Sequence, residues 1–215
     1  MTIEAKICGI NSAPAAAAAV EGGADYIGLV FYPPSPRALT PKQAHAIAAQ
    51  VPARVKKVAM LVDAGDAAIR EIRDAVPLDL LQLHGGESPE RVAEIKARFA
   101  LPVMKVIRVA GPDDVAEARA YLKVADRLLF DAKPPKDMKN ALPGGNAISF
   151  DWELLAGKSW PIPWMLSGGL EAANLADAVH VSRTRAVDVS SGVEDKPGVK
   201  NPAKILAFLK IAHSL

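Results

Sequence analysis

The feature that most narrows the possible folds is a recurrence: along 215 residues, an apolar run followed by a helix-forming stretch repeats about eight times. The first run ends at Cys8 and leaves through Gly9. Pro14 opens an alanine-rich segment to Glu21 that Gly22-Gly23 stops, and residues 26–31 form the next run. Thr40-Pro41 caps a helix to about residue 50, residues 55–62 read as the third strand and 66–75 as its helix. Residues 79–83 follow as the fourth strand, and Ser88-Pro89 supplies a cap and a first-turn proline for a helix ending near Phe99. The fifth strand is predicted over 103–109 with a helix over 113–121, and the sixth over 127–131. A long loop, 132–149, then leads to a short helix from Asp151, and strand, helix, strand, helix over 163–167, 171–179, 186–190 and 201–212 complete the series. Parallel strands need such crossovers, and eight of them close a (β/α)8 barrel. With half its side chains hydrophobic, the chain is expected to form a single domain over residues 1–215.

Several function classes are excluded by composition. A single cysteine rules out a disulfide framework and a cysteine-based zinc cluster, and fits a reducing compartment. Glu4 and Lys6 interrupt the N-terminal stretch, which lacks the apolar core of a signal peptide, and no apolar run approaches the roughly 20 residues of a membrane span. A cytoplasmic location is the expectation. A net charge of +2, evenly spread, gives no reason to expect nucleic acid or membrane as a partner, so an anionic ligand must be caught locally.

Barrel chemistry sits at the C-terminal ends of the strands. Period two then selects Cys8 from the first strand, Gln82 and His84 from the fourth, Asp131 from the sixth, and Asp188 and Ser190 from the eighth. Arg37 follows the rigid Pro33-Pro34-Ser35-Pro36 segment after the second strand. Strands seven and eight run into Ser167-Gly168-Gly169 and Ser190-Ser191-Gly192, in the pair of loops where barrels often hold a phosphate on backbone N–H groups. Each residue alone has a plainer reading: a buried apolar thiol, a surface arginine, a core histidine, a loop-capping aspartate, ordinary turns. Their placement on one rim favours a site.

The segments KICGI (6–10), SPR (35–37), QLHG (82–85), LLFD (128–131), FDW (150–152), LSGGL (166–170) and DVSSGVE (188–194) together resemble the phosphoribosylanthranilate isomerase family, in order and over nearly the whole chain. The resemblance implies an Amadori rearrangement in tryptophan biosynthesis, from N-(5-phosphoribosyl)anthranilate to 1-(2-carboxyphenylamino)-1-deoxyribulose 5-phosphate. By motif, Cys8 would be the general base, Asp131 the general acid, and Arg37 the partner of the anthranilate carboxylate. Gln82 and His84 would join the substrate site, and Gly168, Gly169, Ser190, Ser191 and Gly192 would surround the phosphate. No cofactor and no metal is implied, because the substrate nitrogen serves as electron sink; the chain would act as a monomer or homodimer. One stretch departs from the family's frequent Gly-Gly-Thr/Ser-Gly, reading Gly144-Gly145-Asn146-Ala147-Ile148-Ser149. An indole-glycerol-phosphate synthase would show a strand-end lysine and a longer N-terminus, and a ribulose-phosphate epimerase metal-binding histidines and acids. A non-catalytic phosphate binder on the same scaffold has no use for both Cys8 and Asp131.

Four expectations follow. The Cys8 thiol is activated as a thiolate; Lys6, sharing its face, pairs inside the barrel with Asp188; backbone N–H groups bind the phosphate without an arginine clamp; and Asp131 holds a proton in the productive complex.

Overall fold

The computed structural model describes residues 2–135, 137–138 and 142–215. Its core is a closed barrel of eight parallel strands in chain order: β1 Glu4–Cys8, β2 Tyr26–Val30, β3 Lys56–Leu61, β4 Leu80–Leu83, β5 Val103–Val109, β6 Arg127–Ala132, β7 Trp164–Leu166 and β8 Ala186–Val189. The ring closes by pairing of β1 with β8, from Glu4 opposite Ala186 to Ile7 opposite Val189. Helices α1 Ala13–Glu21, α2 Pro41–Ala48, α3 Asp66–Ala75, α4 Pro89–Phe99, α5 Pro112–Glu117, α6 Leu175–Ser182 and α7 Pro202–Ser214 surround it. Among the described residues no helix is long and apolar enough to cross a membrane.

Local chemistry sets the helix starts. Thr40 and Gln43 form a reciprocal capping box at α2, the Ser88 hydroxyl accepts from Arg91 N–H at α4, and prolines occupy first-turn positions in five helices, where their missing N–H costs nothing. Strands buried on both faces explain the near-continuous apolar runs. Outward residues such as Ile7, Ile27, Leu29 and Phe130 pack beneath the helices, while inward Val58, Leu80, Met104, Val106, Leu129, Met165 and Ala186 fill the N-terminal half of the barrel. Phe130 lies against Trp160 and Trp164, with ring centroids 5.2 and 5.6 Å away. Emptying that site by Phe130→Ala would cost about 3–5 kcal/mol and unseat the neighbouring Asp131.

Three elements differ from the sequence expectation. The helix expected from residue 171 begins at Leu175, because the Asn174 side chain accepts from Glu171 N–H and donates to Gly169 O, holding residues 169–174 in a turn. The expected 113–121 helix changes to a 3-10 turn at Ala118. Between β8 and α7 the chain forms an unforeseen hairpin, β9 Glu194–Lys196 and β10 Val199–Lys200, turning at Pro197-Gly198 with Gly198 at φ +82°. A Pro-Gly pair is a turn signal.

Candidate active site

The C-terminal mouth of the barrel brings together residues from six strands or the loops after them. Lys6 and Cys8 point inward from β1. The Lys6 ammonium is fully buried and lies 2.8 Å from Asp188 Oδ1, as expected, while the other Asp188 oxygen accepts from the Ser167 hydroxyl at 3.2 Å. Gly28, opposite Cys8 on β2, leaves the room: a Cβ there would sit 2.8 Å from Cys8 Sγ and 3.1 Å from Lys6 Nζ.

Burial pushes the Cys8 thiol above its ordinary value, more than the charges of Lys6 and Lys200 pull it down. The expectation of a thiol activated within this structure is therefore corrected. For Lys6 the balance runs the other way: burial works against the ammonium, but Asp188 and Cys8 outweigh it and raise its pKa.

Asp131 is the penultimate residue of β6, with Oδ1 accepting from Ala132 N–H and Oδ2 3.2 Å from His84 Nε2, a close approach not aligned as a hydrogen bond. Gln82 lies below, its amide nitrogen 3.2 Å from His84 Nδ1. It is buried in the barrel interior and lines neither cavity at the mouth, so it reaches the site through His84. Cys8 and Asp131, on strands three apart in the eight-stranded ring, line one cavity of about 30 Å³ together with Arg37, His84, Ser167, Asp188 and Ser190.

A second cavity, about 20 Å³, lies between Gly168, Gly169, Ser190 and Ser191. Gly168 and Gly169 adopt φ of +92° and +62°, the left-handed turn that glycine makes without strain. Among the described residues their N–H groups donate to no protein acceptor. Gly192 does not join that lining; it packs against the Leu170 carbonyl, which leaves no room for a Cβ. Both cavities are roofed by the end of the loop after β6. Gly144 sits on the Asp131–His84 pair and Gly145 on the Arg37 guanidinium, each too close for a side chain. Asn146 braces this loop by accepting from Leu142 N–H and donating to Leu142 O.

Arg37 is buried and held in a fork by Glu194: Nε and Nη2 each donate at 2.8 Å, and Nη2 also reaches Gly145 O. The Glu194 carboxylate also accepts from Lys200 Nζ at 2.7 Å and from Gly198 N–H at 3.3 Å. Glu194 stood within a quoted motif and Lys200 beside the Pro-Gly turn, yet neither was singled out. Among the described residues no group of three histidine, cysteine, aspartate or glutamate side chains is placed to hold a metal ion.

The profile of the family described as N-(5'-phosphoribosyl)anthranilate (PRA) isomerase matches residues 5–211. The chain belongs to the PRA isomerase family. It is an isomerase by that membership. The family member of Paramagnetospirillum magneticum is 55% identical over 213 residues, covering 99% of this chain and 98% of its own. The crystal structure of the Thermotoga maritima PRA isomerase superposes with a TM-score of 0.88 at 36% identity, covering 99% of this chain and all of that one. A PRA isomerase in complex with reduced 1-(o-carboxyphenylamino)-1-deoxyribulose 5-phosphate superposes at 0.83 with 34% identity and the same coverage.

Proposed function

We propose that the protein converts N-(5-phosphoribosyl)anthranilate to 1-(2-carboxyphenylamino)-1-deoxyribulose 5-phosphate, an Amadori rearrangement in tryptophan biosynthesis, by general acid–base catalysis. The observation that carries this reading is the cavity shared by Cys8 and Asp131 beside a second one walled by unengaged glycine N–H groups. Asp131 gives a proton to the ring oxygen as the ribose opens, leaving an iminium. The Cys8 thiolate removes the proton from C2, the electron pair flows to the nitrogen, and the enolamine tautomerises to the ketone. Two separate groups suit a reaction that protonates one atom of a sugar and deprotonates another. The phosphate takes the Gly168-Gly169 and Ser190-Ser191 N–H groups, since backbone donors in a glycine turn suit a dianion. Arg37 keeps Nη1 outside its fork with Glu194, and that donor faces the anthranilate carboxylate. The reduced product analogue bound by a relative at 34% identity supports the assignment of substrate.

The decisive measurement is turnover. Purified protein given freshly made phosphoribosylanthranilate should speed the loss of substrate fluorescence above the uncatalysed rate, and no acceleration would overturn the proposal.

A further inference from the structure

The hairpin after β8 places one carboxylate between two buried cations. Glu194 takes the Arg37 fork on one side and Lys200 on the other, and Lys200 Nζ also donates to Ser190 O at 2.8 Å and lies 3.3 Å from Ser190 Oγ. All three side chains are buried. The hairpin is itself fixed across the mouth: the Lys204 ammonium donates to Glu194 O, Asn11 donates to Gly198 O, and Gly198 lies against the Pro36 carbonyl. Glu194 thus joins the arginine assigned to one end of the substrate and the serine loop assigned to the other. Two cations sharing one carboxylate also leave a net positive charge under a mouth whose ligand carries an anion at each end.

We infer that Glu194 is a positioning residue for both ends of the substrate, orienting Arg37 toward the aryl carboxylate and, through Lys200, the Ser190-Ser191 loop toward the phosphate. This rests on the proposed function. A lone arginine at that depth would be free to turn toward Asp131, and the two-point fork removes this freedom because it fixes the plane of the guanidinium. Lys200 acts differently: it ties down the Ser190 carbonyl, so the N–H groups that follow keep their direction.

The test compares Glu194→Gln, Lys200→Met and the double variant with the parent protein. The readouts are kcat and KM for phosphoribosylanthranilate and inhibition constants for anthranilate and for inorganic phosphate. Glu194→Gln should raise KM and weaken both inhibitors about tenfold, with kcat changed far less, as expected for lost binding shared by ground and transition states. Lys200→Met should weaken phosphate and leave anthranilate within about twofold, because the fork survives. Since Glu194→Gln leaves two cations without their anion and can fail to fold, the double variant, which removes one charge of each sign, must also weaken both inhibitors. Parent protein that turns over the substrate, with either Glu194 variant binding both inhibitors normally, would overturn the inference alone; so would weakening of anthranilate without phosphate. A parent without turnover would overturn the proposed function instead.

Discussion

At Cys8 two forces of opposite sign meet, and burial wins. If the thiolate is the working base, the fraction of competent enzyme rises with pH until the raised thiol pKa is passed. The acid limb of kcat/KM should therefore continue above about pH 8.5, where an ordinary thiol is half ionised. A plateau reached near pH 7 would assign that limb to another group. Cys8→Ala should abolish turnover while the far-UV spectrum stays unchanged. Gly28→Ala tests the same spot from the neighbouring strand. Its new methyl group meets Cys8 Sγ and the Cys8 Cα, and overpacking of this kind costs about 1–3 kcal/mol, seen as a lower Tm with a fall in kcat. Beneath Asp131, a Gln82 amide that donates to His84 Nδ1 puts the ring proton on Nε2, facing the carboxylate. Gln82→Leu should shift the pH dependence of kcat with little change in KM; an unaltered profile would show that the amide does not set the tautomer. Cys8, Asp131 and Arg37 were legible because strand parity and rim position are written in the sequence. Glu194 was not, since its meaning depends on the fork with a residue 157 positions away.

Among the elements, β1 and β8 are joined by the Lys6–Asp188 pair as well as by their ladder. Removing one partner of a buried pair leaves an uncompensated charge, so Lys6→Met should lower unfolding free energy by about 3–5 kcal/mol, and Lys6→Met/Asp188→Leu should recover much of it. A double-variant loss equal to the sum of the losses in Lys6→Met and Asp188→Leu, measured by denaturant unfolding, would mean that the pair contributes no coupling. The segment after β6 gives a different prediction. Gly144→Val would drive a side chain into Asp131 and His84, preventing the loop from seating. Its kcat should drop by at least about tenfold, as for other enzymes whose loops complete the site, while Tm changes little. Strand and helix order was legible because capped, periodic segments repeat, and Lys6 with Asp188 followed from period two in adjacent strands. The delayed start of α6 and the β9–β10 hairpin were missed because an asparagine side chain and a two-residue turn decided them locally, against a pattern that suggested helix or loop.

For the molecule as a whole, the cluster around Glu194 links acid stability to the mouth of the barrel. Burial acts to raise the Glu194 carboxyl, but hydrogen bonds from Arg37 and Lys200 and their charges outweigh it and hold it below the usual carboxylate range. A folded pKa below the unfolded value of about 4.3 gives stability that is complete above that pH and is lost as pH falls toward the folded value. Tm should accordingly fall more steeply below pH 4.5 in the parent than in Glu194→Gln/Lys200→Met; parallel curves would place the acid sensitivity elsewhere. The roof over the mouth has a further consequence for affinity. Residues 144–148 leave only about 20 and 30 Å³ beneath them, space for a water molecule or so each, far less than a phosphoribosyl aryl compound. The chain thus holds an internal competitor for the proposed ligand site, and any association constant measured there is an intrinsic affinity multiplied by the fraction of molecules in which that competitor has stepped aside. Excising 144–148 should tighten inorganic phosphate, which on the proposed assignment is held by the loops after β7 and β8, and at the same time slow turnover, so that tightness and speed move in opposite directions through one short piece of chain.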